Sequence, residues 1–190
     1  MIIASADPGL SGAVMLIDEN GKILDYFLMP LYSVKKDGRK KTKKGELKKR
    51  VEKYIDVATL RDLFEDRLKN KVDVFILENV HGVQGSGVAS AFKFGTNYAY
   101  LKAFAVANRI PFYEVPPKTW QKPFHKKSVI ALTAKEKSMY YYKKIGEKSK
   151  IKFPEDHDGL IDAWLIGEWG RRNLNKIFSE IKQSSYLNKI

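Results

Sequence analysis

The chain has 190 residues, 44% of them hydrophobic, and it contains no cysteine. This length suits one domain, residues 1–190, with a full-sized core, and the lack of cysteine excludes disulfides and thiolate metal sites. Its 35 Lys and Arg against 22 Asp and Glu give a net charge of +13. Such a field favours a polyanionic partner, nucleic acid before an anionic membrane surface.

No apolar run approaches the roughly 18–20 residues of a membrane span, and the first residues lack the basic region of a signal peptide. The absence of cysteine agrees with a reducing compartment. We therefore expect no membrane partner and a cytoplasmic location.

Three strands are predicted at the start of the chain, over residues 2–7, 11–17 and 22–29, with a hairpin turn at 18–21. They imply an antiparallel beginning to a sheet. The first strand ends on Asp7, and Gly9 and Gly12 keep the following loop free of side chains. A carboxylate in this position is either a turn former or a functional group, and both readings stay open.

Residues 35–53 hold eleven Lys and Arg against three Asp and Glu, a net of +8. The first part, 35–45, predicts a mobile loop, and a helix is predicted over 46–69. The apolar stripe of that helix would be Val51, Ile55, Leu60, Leu63, Phe64 and Leu68. A charge run is usually a solvated face, but this one has the sign of the whole molecule, which favours contact with a DNA backbone. The expected DNA contacts are Lys40, Lys41, Lys43 and Lys44.

A nearly continuous apolar run over 72–78 predicts an inner strand that ends on Glu78. A carboxylate there is costly unless it is paired or binds a metal, and it repeats the pattern of Asp7. The glycine-rich loop 79–87 follows, but it lacks the Gly-Lys-Ser/Thr of a phosphate-binding loop. We therefore expect no nucleotide cofactor.

A helix is predicted over 88–107, packed by Phe92, Phe94, Tyr98, Leu101, Phe104 and Val106. Its small residues recur every four positions and allow another helix to approach, in the core or in a dimer partner: Ala91, Gly95, Ala99 and Ala103.

A strand over 111–115 and a short helix over 116–122 come next. A capping box at 133–136 begins a helix to about residue 145, in which Tyr140, Tyr141 and Tyr142 are equally suited to sugar-phosphate contact and to the core. A terminal helix is predicted over 171–187 with four inward residues, Leu174, Ile177, Phe178 and Ile181.

The stretch 154–169 predicts a well-buried amphipathic helix from Gly159 onward. Asp158 and Asp162, four residues apart, lie on one face of it, where like charges repel each other. A divalent cation would turn this repulsion into attraction. The alternative is that Asp158 only caps the helix and that Asp162 is solvated.

Asp7 and Glu78 would lie side by side if their strands are neighbours, and the late helix could bring Asp158 and Asp162 against them. Four crowded carboxylates raise one another's pKa unless cations separate them. Oxygen ligands suit Mg²⁺ or Mn²⁺. Two such ions about 4 Å apart can activate a water and stabilise the leaving oxygen of a phosphodiester.

Five motifs in this order resemble one known family. They are Asp7-Pro8-Gly9 with Ser11-Gly12-Ala13; Leu77-Glu78 with the glycine-rich loop; Gln84-Gly85 through Ser90, Phe92 and Gly95; Val115-Pro116 with Lys118, Trp120 and Gln121-Lys122; and 157–163 with Leu165-Ile166. Together they resemble the RuvC-type Holliday junction resolvases of the ribonuclease H-like superfamily, and most of all the phage and large-virus branch.

The resemblance implies an α/β fold with a ribonuclease H-like mixed five-stranded sheet flanked by helices. It further implies a homodimer with its seam at 91–103, and cutting of paired strands at a four-way DNA junction, in the host cytoplasm if the source is viral. By position, the catalytic ligands of two Mg²⁺ ions, for which Mn²⁺ substitutes, would be Asp7, Glu78, Asp158 and Asp162. His81 would probe the junction core, and four further residues are expected at the DNA: Gln84, Lys118, Trp120 and Lys122.

In many members of the family, the first acidic ligand on this helix stands three positions before the second. In this chain the position three residues before Asp162 is Gly159. Asp158 stands one position further back and shares the face, but Asp156 and His157 stay open as alternative ligands. Other open readings are a nuclease of the same fold for forks, flaps or RNA·DNA hybrids, and a DNA-binding module without catalysis. An actin-like ATPase is excluded because the chain lacks the length and a second phosphate loop.

Overall fold

The computed structural model of the chain describes residues 1–41, 45, 47–79, 87–125, 132–149 and 157–183. The strands are β1 (Ile2–Ala6), β2 (Ala13–Asp18), β3 (Ile23–Leu28), β4 (Leu31–Lys41), β5 (Leu47–Ile55), β6 (Val74–Glu78) and β7 (Phe112–Val115). The helices are α1 (Val57–Leu63), continued by a π-helical turn at Phe64–Leu68, α2 (Val88–Ala107), α3 (Pro117–Gln121), α4 (Ala134–Ser149), α5 (Asp158–Arg171) and α6 (Leu174–Gln183).

Five strands form a mixed sheet in the order β3-β2-β1-β6-β7. The first three pair antiparallel, as the hairpin signal predicted, and β1, β6 and β7 run parallel to one another. Strands β1 and β6 are buried on both faces over most of their length, because each face of the sheet is covered by helices. The predicted mixed five-stranded sheet with flanking helices is confirmed.

The alternation of side chains along the strands divides the core between the two faces of the sheet. Ile3, Met15 and Ile76 pack with α5, α3 and α4 on one face. Ala4, Leu16 and Phe75 pack with α1 and α2 on the other. The helix predicted as the most buried, α5, therefore lies directly on the sheet.

Small residues hold α5 against β1 and β6. The Ser5 hydroxyl donates to the Ala163 carbonyl oxygen at 2.7 Å. A Cβ added to Gly167 would lie 2.7 Å from that hydroxyl oxygen, and one added to Gly170 would lie 1.8 Å from the Ile76 side chain. Because larger residues do not fit in this space, the sequence of α5 determines how closely its acidic start approaches the sheet.

The predicted loop and helix in the basic stretch are wrong. Residues 31–41 and 47–55 form an antiparallel hairpin, β4–β5, and helical structure begins only at Val57. Val51, assigned to a buried helical stripe, is 59% exposed, whereas Leu60, Phe64 and Leu68 are buried as predicted. The register places residues 47, 49, 51, 53 and 55 on one face of β5, so its side chains alternate with the two-residue period of a strand. Lysines on both faces hide this alternation in the sequence.

Two smaller predictions also need correction. Phe92 and Val106 of α2, expected in the core, are exposed, while Asn97 is buried. The terminal helix begins at Leu174 instead of residue 171, because α5 continues through Arg171. In α4, Tyr141 is buried and Tyr140 is exposed. In the described residues no helix is long and apolar enough to cross a membrane.

Candidate active site

Asp7 and Glu78 lie next to each other at one edge of the sheet. Ala6 of β1 is paired in parallel register with Leu77 of β6, so the next residue of each chain segment is a carboxylate. This is the juxtaposition predicted from the two strand ends. Asp7 is held by the loop that follows it, because its Oδ1 accepts the Gly9 backbone N–H at 2.9 Å.

A contact between two glycines brings the first turn of α5 to this edge. Gly12 and Gly159 form an isolated parallel β-bridge. A Cβ on Gly159 would lie 1.9 Å from the Ser11 carbonyl oxygen, and one on Gly12 would lie 2.0 Å from that of Asp7. Since no side chain separates the two backbones, the carboxylates on either side of Gly159 lie close to the strand ends.

The electrostatics agree with four acids in one region. Burial raises the pKa of Asp7. Burial first, and then the negative charge of Asp7, raise the pKa of Glu78 to about 7. Burial likewise raises the pKa of Asp162 to about 6, with the charges of Asp7 and Asp158 adding to it. Perturbed carboxylates of this kind occur at functional sites more often than elsewhere.

Trp120 has a different place from the one predicted. It was expected at the DNA, but its side chain is 1% exposed and belongs to the core. Its indole Nε1–H donates to Glu78 Oε1 at 2.9 Å, a hydrogen bond that lowers the pKa of Glu78 against the effect of burial. The DNA-contact assignment of Trp120 is therefore corrected, since the ring positions a carboxylate.

Helix α4 supplies two residues that the sequence reasoning missed. The Ser138 hydroxyl hydrogen-bonds to Asp162, and His125 Nε2 lies 3.2 Å from Ser138 Oγ. Lys135, one turn earlier, places its Nζ 2.7 Å from Asp158 Oδ2. The capping box that predicted α4 also places 135 and 138 on one helical face, and this spacing was the available signal.

The donor set fits a hard divalent ion in its chemistry. Asp162 Oδ1 and His157 Nδ1 are buried without a hydrogen-bond partner among the described residues, and a buried carboxylate oxygen of this kind calls for a cation or a donor. Carboxylate oxygens are the ligands that Mg²⁺ prefers. Across the described part of the chain, however, no three acidic or imidazole side chains already surround a common point.

The remaining predicted site residues fall into two groups. Lys118 and Lys122 are exposed at α3, the short helix whose Trp120 reaches Glu78, so they lie beside the acidic edge. Five residues of the other group lie outside the described part of the chain: Lys43, Lys44, His81, Gln84 and Asp156. For the remaining two, Lys40 and Lys41, only the backbone is described. Lys40 and Lys41 belong to the backbone of β4.

Two solved structures share the fold of this chain. No protein-family model matches the sequence, and no curated protein matches it. The structure is similar to that of Thermus thermophilus RuvC in complex with a Holliday junction substrate, with a TM-score of 0.57 and 14% identity over 93% of this chain and 96% of that chain. A second Thermus thermophilus RuvC structure gives a TM-score of 0.52 and 17% identity over the same shares. The chain therefore has a RuvC-like fold of the ribonuclease H-like type.

Proposed function

We propose that this chain is a metal-dependent, structure-selective endodeoxyribonuclease that resolves four-way DNA junctions by hydrolysing paired phosphodiesters. The observation that carries the proposal is the gathering of Asp7, Glu78 and the acids of α5 at one edge of a RuvC-like sheet. The net charge of +13 supports a nucleic-acid substrate. A protein that only bound DNA would gain affinity by losing these buried acids.

Asp7, Glu78, Asp158 and Asp162 would hold the metal, Mg²⁺ with Mn²⁺ as a substitute, as two ions. When bound, the ions supply charge that activates an attacking water and neutralises the leaving 3′ oxygen. The chain's own residues set the ligand geometry, because Trp120 fixes one oxygen of Glu78 and Ser138 fixes Asp162. Fixed hydrogen bonds to ligands of this kind tune metal affinity and activity.

The exposed surface of α2 supports a homodimer. Val88 and Phe92 are 87% and 76% exposed, and with Tyr32, Tyr54 and Tyr100 they line an apolar groove of about 920 Å³ between α2 and the β4–β5 hairpin. Gly95, Ala99 and Ala103 continue along the exposed side of the helix. A second copy of the chain would cover the groove and these exposed residues of α2, and the dimer would place two active sites in position for paired cuts.

The test is incubation with a four-way junction, a replication fork, a flap, an RNA·DNA hybrid and a linear duplex, each with Mg²⁺ and with chelator. We expect cleavage of the junction in Mg²⁺ alone, and preferential cutting of another substrate would favour the broader nuclease readings. Asp162→Asn should abolish cleavage while junction binding persists. Glu65→Gln, which removes an exposed acid of the π-helical turn, is the matched control. Binding without cleavage under every condition would leave only the DNA-binding module.

A further inference from the structure

The β4–β5 hairpin leaves the sheet at the edge that carries the acids. Because β1, β2 and β3 alternate in direction, β3 ends at the same edge as β1. The Met29 N–H donates to the Gly12 carbonyl oxygen at 3.1 Å, and the Asp56 N–H donates to that of Pro30 at 2.8 Å, which closes the base of the hairpin. The hairpin therefore begins beside the loop that holds Asp7.

One face of the hairpin contacts α2, and its ion pairs converge on one acid, Glu52. Lys93 of α2 lies 4.3 Å from the centre of the Tyr54 ring and 3.6 Å from Glu52. Glu52 also pairs with Lys36 at 3.0 Å and with Arg50 at 2.7 Å. Hydrogen bonds from the Tyr54 hydroxyl and from Lys36 lower the pKa of Glu52 to about 2. Glu52 therefore stays ionised and holds Lys36, Arg50 and Lys93 in ion pairs, although its one charge neutralises only one of the three.

The opposite face is exposed, and in the described part of the chain two of its lysines are free of ion pairs. The register pairs Ser33 with Lys53, Lys35 with Val51 and Asp37 with Lys49, so these side chains share one face. All six residues are exposed. Asp37 is bound by Lys49 at 2.5 Å, whereas Lys35 and Lys53 have no ion-pair or hydrogen-bond partner within the described ranges of the chain. We name this surface, residues 33, 35, 37, 49, 51 and 53, the free hairpin face.

Resting on the proposed function, we infer that the free hairpin face binds the phosphate backbone of the duplex arm that adjoins the cleaved strand. The sign of its charge fits a polyanion, and its only acid, Asp37, is already paired. On β4 the free hairpin face runs from residue 33 to residue 37, about 13 Å at about 3.3 Å per residue. That length matches about four base pairs of duplex at about 3.4 Å each, and a two-stranded ribbon is narrow enough to enter a DNA groove.

The test compares two double variants that remove equal charge from opposite faces of the same strands. Lys35→Gln with Lys53→Gln changes the free hairpin face, and Lys36→Gln with Arg50→Gln changes two ion-paired cations on the face that contacts α2. Junction affinity is measured at several salt concentrations, and circular dichroism verifies the fold of each variant. Two lost phosphate contacts should reduce the slope of log K against log[salt] by about 1.8 in the first variant. The slope should stay close to wild type in the second.

An unchanged slope in the first variant, or equal changes in both, would overturn the inference. A change of oligomeric state by sedimentation in the first variant alone would assign the face to a second copy of the chain instead. These binding measurements need no cleavage, so a wild type that binds but cuts no junction would contradict the proposed nuclease function and leave this test intact.

Discussion

The Trp120 indole N–H donates to Glu78 Oε1 at 2.9 Å, and the same ring lies 5.9 Å, centre to centre, from His125. His125 in turn contacts Ser138, which hydrogen-bonds to Asp162. Side chains of the core thus connect the carboxylate of the sheet with that of α5. Hydrogen bonds at each end and the edge-to-face contact of the two rings between them restrict the geometry of both carboxylates.

Trp120→Phe should lower the cleavage rate at saturating Mg²⁺ by roughly tenfold, about 1.4 kcal/mol of transition-state stabilisation. The phenyl ring keeps most of the packing but cannot hold Glu78, and the lost hydrogen bond should cost about 1–2 kcal/mol of stability. The lost hydrogen bond should also weaken metal binding, since Glu78 is a proposed ligand. Single-turnover kinetics, urea unfolding and Mn²⁺ titration calorimetry measure the effects on rate, stability and metal affinity. Trp169→Phe, at a buried ring stacked on Tyr113, is the control. Equal metal affinity and rate in both variants would remove Trp120 from the site.

The stability of the metal-free protein should fall as the pH rises from about 4 toward 7. The pKa of Glu78 is raised to about 7 and that of Asp162 to about 6, so the folded state binds more protons than the unfolded state in this window. The contribution of Glu78 and Asp162 to stability is complete below the pKa that each has in the unfolded chain. It is lost as the pH rises through the higher pKa that each has in the folded protein. Urea unfolding in chelator at a series of pH values measures this slope, which Glu78→Gln should flatten.

Added Mg²⁺ should reverse that trend. Metal binding requires ionised carboxylates, so the increase in melting temperature on adding Mg²⁺ should grow with pH through the same window. Differential scanning fluorimetry with and without the ion gives the comparison. An increase that is the same at every pH, or that persists in Glu78→Gln with Asp162→Asn, would place the ion elsewhere.

Gly159→Ala should destabilise the protein by about 1–3 kcal/mol or more, although alanine is the better helix former by about 1 kcal/mol. The added Cβ would lie 1.9 Å from the Ser11 carbonyl oxygen, so the start of α5 must move away from Asp7. Denaturant unfolding and metal titration should both report the loss. Gly87→Ala, where a Cβ would have no described atom within 4 Å, should leave metal binding unchanged and cost only the small difference between glycine and alanine at a helix N-cap.

Lys135→Gln should tighten Mn²⁺ binding by roughly two- to fivefold, the range for an exposed ion pair of up to about 1 kcal/mol. The Lys135 Nζ lies 2.7 Å from Asp158 Oδ2, so an entering cation competes with an ammonium already present. Calorimetry on the variant and on Lys143→Gln, an exposed lysine of the same helix, separates this effect from bulk charge. Weaker binding in Lys135→Gln would show that the ammonium does not compete with the ion.

Ala99→Arg should convert a dimer to a monomer in sedimentation velocity experiments, because Ala99 lies on the exposed side of α2 and a long cation prevents close approach. Ala107→Arg, at the exposed end of the same helix, should leave the dimer intact. A monomeric wild type would contradict the proposed interface.

The sequence by itself determined the five strands of the sheet, the acidic strand ends and the helix of paired aspartates. Those signals are local: Asp7 and Glu78 each end an apolar run, and the apolar residues around Asp162 repeat with the period of a helix. It misassigned the hairpin, because lysines on both faces of β4 and β5 removed the alternation that identifies a strand. The side chains expected at the DNA from 40–44, 81 and 84 lie outside the described residues.

Only the tertiary structure decided that Trp120 hydrogen-bonds to Glu78, that Ser138 and Lys135 contact the acids of α5, and that α2 contacts one face of the hairpin. The contacts with the acids join residues from 23 positions apart, as Lys135 and Asp158 are, to 42 apart, as Glu78 and Trp120 are. No local period encodes such a pair. They arise because α5 lies close against the sheet at Gly12 and Gly159, and the space left at that edge determines which side chains meet.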